Sequence, residues 1–185
     1  MSPDWAWQDM IASLITNTTG GGKKPMAMTK KEAIKTKLTT VRDEWLSTLT
    51  SLSDEQWNTL AYSDESPWRI VDILRHVADS ERGMTGLMMQ IKGGGEGVPE
   101  DFDLARWNQR VVNKLADQEP PELLDSMAHN RTALFAFIDG LDDADWEKKG
   151  RHASLQIMTI EEVCHLIADH EALHLAGIRE ALLTN

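Results

Sequence analysis

The chain is 185 residues long, 41% hydrophobic and 26% charged, with a mean hydropathy of −0.39: one ordinary globular domain, long enough for a proper core. Its net charge of −11 and isoelectric point near 4.9 argue against binding a nucleic-acid backbone, and no basic patch offsets them, Lys23-Lys24 and Lys30-Lys31 being short. The single cysteine, Cys164, rules out an internal disulfide, and no apolar stretch is long enough to span a bilayer or follow a basic leader, so a cytoplasmic protein is expected.

Residues 1–16 place Trp7, Met10, Ile11, Leu14 and Ile15 on one side of a short predicted helix. A stretch with Gly20-Gly21-Gly22 follows and reads as a linker, which sets an N-terminal extension, 1–28, apart from a domain at 29–185. Thr29-Lys30-Lys31-Glu32 is a capping box, and the helix it starts keeps Ile34, Leu38, Val41, Trp45 and Leu49 in period to about Ser51. Ser53-Asp54-Glu55-Gln56 caps a further short turn carrying Trp57.

Ser66-Pro67 supplies an N-cap and a proline at the first helical position, which predicts a second long helix from there to Lys92, stopped by Gly93-Gly94-Gly95. His76 shares a stripe on it with Ile73, Ser80, Gly83 and Leu87, so this histidine faces the core. Asp72 and Asp79 border the same face. Asp79 is placed to orient an imidazole by accepting its second ring N–H; the plainer alternative makes Asp72, Asp79 and Glu81 a solvated acidic edge.

Asp101 or Asp103 caps a shorter helix carrying Leu104, Trp107, Val111 and Leu115. Pro120-Pro121 opens another that runs to about Gly140, with Leu124, Met127, Ala128, Phe135 and Ile138 inward. Arg131 falls in the middle of that apolar stripe, where an arginine either snorkels to the surface or anchors an anionic substrate. Gly150 to Met158 reads as irregular or weakly extended, and no strand pattern of useful length appears.

The last helix opens on the capping box Thr159-Ile160-Glu161-Glu162. Val163, Leu166, Ile167, His170, Leu173, His174, Gly177, Ile178 and Ala181 form its buried stripe. His165 points the opposite way, and Cys164 lies on the flank without an identifiable base, as inert packing. One core histidine is ordinarily a satisfied structural residue, but two spaced i, i+4 can both reach a single ion. The elements add up to an all-α four-helix bundle with a long crossover connection and an extra short N-terminal helix. His76 from one helix and His170 with His174 from another then converge as three neutral nitrogen donors, leaving coordination positions open.

His170-Glu171-Ala172-Leu173-His174 also matches the H-E-x-x-H signature of metalloproteases. Those enzymes align a peptide on a strand that this chain lacks and take a third ligand from well downstream, where only eleven residues follow His174. The protease reading is rejected.

Leu74-Arg75-His76-Val77-Ala78-Asp79-Ser80-Glu81, the Gly150 connector, and Thr159-Ile160-Glu161-Glu162 through His170-Glu171-Ala172-Leu173-His174-Leu175-Ala176-Gly177-Ile178 resemble the DinB/YfiT-like superfamily. The resemblance spans roughly Thr29 to the C-terminus. It implies a four-helix bundle that binds a divalent metal, zinc or nickel most often, through His76, His170 and His174, and a homodimer. Its implied chemistry is that of thiol-dependent transferases and isomerases or of metal-dependent hydrolases. The superfamily's DNA-damage name reports regulation and implies no DNA binding.

The leading expectation is a metal-dependent enzyme acting on a small molecule. It either transfers a low-molecular-weight thiol that the metal deprotonates, or hydrolyses its substrate with Glu171 or Asp79 as proton acceptor. The alternatives are a metal-binding stress or sensor module without turnover, and a bundle whose histidines only hydrogen-bond one another.

Overall fold

The structure, a computed structural model, describes residues 28–62 and 67–184. The expected N-terminal helix, its linker and the Ser66 cap lie outside these residues. Four long helices form the bundle: α1 (Lys30–Leu49), α3 (Ile70–Lys92), α5 (Pro120–Asp139) and α6 (Ile160–Thr184). Two shorter ones, α2 (Asp54–Trp57) and α4 (Leu104–Lys114), lie in the connections. Two small antiparallel hairpins complete the described chain: β1 (Leu60–Tyr62) with β2 (Trp68–Arg69), and β3 (Lys149–Arg151) with β4 (Ile157–Thr159). Strands of two or three residues are too short to leave an alternating pattern in the sequence. Among the described residues, no helix is long and apolar enough to cross a membrane.

The helix starts are set by side chains that satisfy the orphan amides of the first turn. Thr29 and Glu32 form a reciprocal capping box at α1, and Ser53 and Gln56 do so at α2. Thr159 and Glu162 repeat it at α6, with the Thr159 N–H donating to Glu162 Oε2 at 2.7 Å. Asp103, of the two candidates, caps α4 by accepting from the Arg106 N–H at 2.9 Å. α3 departs from expectation: it begins at Ile70, not Pro67. The β1–β2 pairing takes the backbone of Trp68 and Arg69, and Arg69 becomes the N-cap, its N–H donating to Asp72 Oδ2 at 3.1 Å.

The helices are not arranged in chain order. α3 packs against α5 and α6, and α6 also packs against α1, while α1 and α3, like α5 and α6, share little or no backbone contact and lie on the diagonals. The long middle connection is present, but it joins neighbours and folds α4 against α3. The diagonal crossings are made by the first and last connections, each of which carries a hairpin.

The core divides into two apolar clusters. One gathers Ile34, Leu38, Met88, Leu134, Trp146, Val163 and Ile167; the other gathers Trp45, Leu49, Ile73, Leu74, Leu123, Met127 and Ile178. Between them the bundle carries a polar layer, with one buried charge from each long helix: Arg42, Glu81, Arg131 and Glu171.

Candidate metal centre

His170 and His174 stand one turn apart on α6, and His76 meets them from the adjacent α3. The three Nε2 atoms converge: His76 to His170 is 3.0 Å and His174 to His170 is 2.8 Å. One ligand atom from each lies within 4.8 Å of the others, and all three residues are buried. An imidazole nitrogen offers either one lone pair or one N–H, so His170 Nε2 can fully serve one of these neighbours but not both. Three such nitrogens pointing at one locus form a donor set suited to a borderline divalent cation.

Burial fixes the electrostatics. It depresses the pKa of His76, with the His174 ring adding to the effect, and that of His170, where His174, His76 and His152 add in turn. Burial alone lowers His174 to about 4. The rings are therefore neutral at physiological pH, the form in which imidazole binds a metal. Trp68, from β2, lies against His76 with ring centroids 5.1 Å apart, so the hairpin that displaced the start of α3 also backs one of the site's rings.

The other three sequence-predicted site residues have different surroundings. Glu171 is 2% exposed and turned into the polar layer, where Oε1 accepts from Arg42 Nε at 2.5 Å and Oε2 from an Arg131 terminal nitrogen at 2.8 Å. Arg131 also donates from Nε to Glu81 at 2.8 Å, and Arg42 closes the ring by a second ion pair with Glu81. Two acids and two bases alternate around the bundle axis, one from each long helix. Glu171 is thus paired with two guanidinium groups within the polar layer, and Arg131 is enclosed there by two carboxylates and does not snorkel to the surface. Glu81, expected on a solvated edge, is 3% exposed. Asp79 pairs with Arg82 at 2.5 Å in clefts shared with Lys114, and Asp72 pairs with Arg69 and Arg75; neither orients an imidazole. Cys164 is fully buried beside Met88, its thiol pushed up to about 12 by burial and then by Glu161, which leaves it inert as expected.

A cleft of about 270 Å³ adjoins the centre, with His76 in its wall. α3 forms one side, α4 and the segment before it form the other, and His152 from the last connection contributes a fourth histidine. The Ser154 N–H donates to His152 Nδ1 at 3.1 Å, which puts the ring proton on Nε2. Burial lowers this histidine to about 4 as well.

His152 and Arg42 escaped the sequence reading for different reasons. His152 follows β3 in a non-helical connection, where no periodicity marks which side chains turn inward. Arg42 did leave a signal, since Ile34, Leu38, Arg42, Trp45 and Leu49 make one buried stripe, but an arginine in such a stripe ordinarily signifies a flank.

Fold and site define a helical bundle with a three-histidine centre between two neighbouring helices. The model of the DinB superfamily matches residues 37–178, and the chain belongs to that superfamily. No curated protein matches the sequence. YfiT from Bacillus subtilis, described as a probable metal-dependent hydrolase with an unusual four-helix bundle topology, superposes with a TM-score of 0.68 at 20% identity. The match covers 88% of this chain and 92% of that one. A mycothiol-dependent maleylpyruvate isomerase gives 0.66 at 14% identity over 82% of this chain, which spans 63% of the isomerase's length. A protein from Streptococcus pneumoniae gives 0.56 at 16% identity, covering 84% and 91% of the two chains. At these identities the likeness establishes the fold.

Proposed function

We propose that this protein is a divalent-metal-dependent enzyme acting on a small molecule, with His76, His170 and His174 holding the ion. The observation that carries the reading is the convergence of three buried, neutral Nε2 atoms beside an open cleft. Zinc and nickel suit such a donor set, and a cation held by neutral ligands alone supplies undiminished Lewis acidity to a bound carbonyl, water or thiol.

The protein's own contribution is to bind, orient and exclude water. α6 fixes two rings in register, the backing of Trp68 helps hold the third, and burial keeps all three unprotonated. The two reaction classes are hydrolysis of a small substrate, for which the description of YfiT gives support, and transfer of a low-molecular-weight thiol to an electrophile, for which the mycothiol-dependent isomerase does. Glu171 and Asp79 stand in ion pairs, and His152 is the titratable residue of the cleft outside the ligand set.

The test compares chelator-stripped protein with protein reloaded with zinc or nickel, against neutral aryl esters and against thiol-plus-electrophile pairs. Turnover that appears on reloading and is absent from His170→Ala is the expected result. A metal-loaded protein inert across both panels would favour a sensor module, and turnover indifferent to the metal would contradict the site.

A further inference from the structure

Among the described residues, the walls of the cleft beside His76 carry no formal charge. Met84, Leu87, Val98, Phe102, Leu104 and Trp107 give it an apolar lining, and its polar groups are the neutral side chains of Ser80, Gln90, Asn108, His76 and His152. Among the described residues, no lysine, arginine, aspartate or glutamate lines it. A carboxylate or phosphate transferred from water to such walls loses its hydration and gains no countercharge. The surrounding chain is rich in charge, so a neutral cleft here is a local property and not a reflection of composition.

Two of its wall residues are glycines within a long helix. Gly83 and Gly86 lie inside α3, where glycine is less stable than alanine because its unfolded backbone is freer. Neither is required by the fold: a Cβ built at either position meets nothing within 4 Å. Gly97 and Gly150 are the opposite case, for a Cβ there would stand 2.2 Å from Arg151 backbone and 2.5 Å from the Ile91 side chain respectively. The missing side chains of Gly83 and Gly86 therefore serve the open volume and not the packing. Across the cleft, Phe102 and Trp107 present two rings with centroids 5.8 Å apart, a wall suited to a flat apolar group.

We infer that the cleft is the binding site for the uncharged, apolar body of the substrate, a flat ring-sized group carried next to a neutral carbonyl. Gly83 and Gly86 keep room for it. The inference rests on reading the three histidines as a metal centre, since only there does the cleft's ligand become a substrate. It deepens that reading by assigning the substrate's uncharged, apolar part to the cleft walls and leaving any anionic group to the ion.

The experiment pairs two probes of equal shape, naphthalene-1-carboxamide and 1-naphthoate, on the full-length protein both zinc-loaded and chelator-stripped. Amide and indole N–H shifts of Trp107 and of the α3 wall report occupancy. On the stripped protein, where no cation can attract the acid, the carboxamide should bind at least tenfold more tightly than the carboxylate. Gly83→Leu and Gly86→Leu should abolish its binding while zinc stoichiometry is retained. Gly83→Ala should raise the thermal midpoint by about 2–4 °C, which a glycine needed for packing would not allow.

Equal binding of both probes to the stripped protein would overturn the inference, as would carboxamide binding that survives both leucine variants. The two readings fail separately. Protein that binds zinc but no carboxamide loses the cleft assignment alone, whereas protein that binds carboxamide at these residues but no zinc keeps a neutral cleft and loses the metal-enzyme reading.

Discussion

Arg42, Glu81, Arg131 and Glu171 are each less than 10% exposed, and each is answered by two opposite charges. Burial works against the Arg42 charge, yet Glu171 and Glu81 outweigh it and raise its pKa above the ordinary value. An ion ring of this kind adds little net stability over an apolar core, but it is costly to break, because removing one member strands its partners in low dielectric. Glu171→Gln should therefore destabilise the protein by about 3–5 kcal/mol in urea unfolding. A loss below about 1 kcal/mol would mean that the ring is hydrated or loosely formed. The buried histidines give a second residue-scale expectation, for the metal-free protein. Their folded pKa values are depressed, so between pH 6.5 and 4 the unfolded chain binds protons that the native state refuses, and stability falls as pH falls. For a histidine held at about 4 the loss is about 2 kcal/mol at pH 5 relative to pH 7.5, per group. Chelator-treated protein with an unchanged or higher urea midpoint at pH 5 would show that these rings are not buried as described.

Among the elements, those that position the site are held by contacts at their ends. Arg75 of α3 donates to the carbonyls of Leu115, Ala116 and Gln118, tying down the C-terminal end of α4. Gly97 bridges to Arg151 with φ at +95°, bringing the glycine-rich connection against the β3–β4 hairpin that carries His152 to the cleft. Gly97→Ala combines backbone strain with a Cβ that overlaps Arg151, so it should shift the amide resonances of residues 149–153 and lower stability by more than about 1 kcal/mol while leaving helix content intact. Unshifted resonances would mean that the bridge is not formed. The sequence disclosed the elements where local chemistry marks them. Capping boxes announced α1, α2 and α6, and Pro120-Pro121 announced α5. Of the inward face expected for α5, Met127 and Ile138 are buried and Leu124 and Phe135 pack half-buried against the core, but Ala128 is exposed, and Leu123, Leu134 and Phe137 are buried without having been expected there. Arg131 stood on the expected stripe, but the two carboxylates from other helices that enclose it are not visible along one sequence.

In the whole molecule the two diagonal helix pairs, α1 with α3 and α5 with α6, are each joined by an ion pair of the polar layer: Arg42 reaches Glu81, and Arg131 reaches Glu171. The layer couples helices that share little other contact, a pairing that no single-helix periodicity discloses. The three histidines were legible because helical spacing alone places His170 and His174 on one face, and His76 needed only a neighbouring helix. The cleft was not legible, since its far wall comes from a connection. All of these features lie within residues 28–184, so removal of residues 1–24 should leave metal binding unchanged. The central claim is that the three buried histidines, His76 with His170 and His174, and not the remaining histidine of α6, hold the ion. His165 is half-buried on the same helix, among Lys37, Glu161 and Asp169, and its pKa is depressed by burial first. The decisive measurement is zinc titration at pH 7.5 on the stripped wild type and four alanine variants, read as stoichiometry and affinity. Wild type and His165→Ala should each take about one ion per chain with equal affinity, while His76→Ala, His170→Ala and His174→Ala should each bind at least a hundredfold more weakly. Stoichiometric, undiminished binding in those three variants, or an equal loss in His165→Ala, would contradict the account.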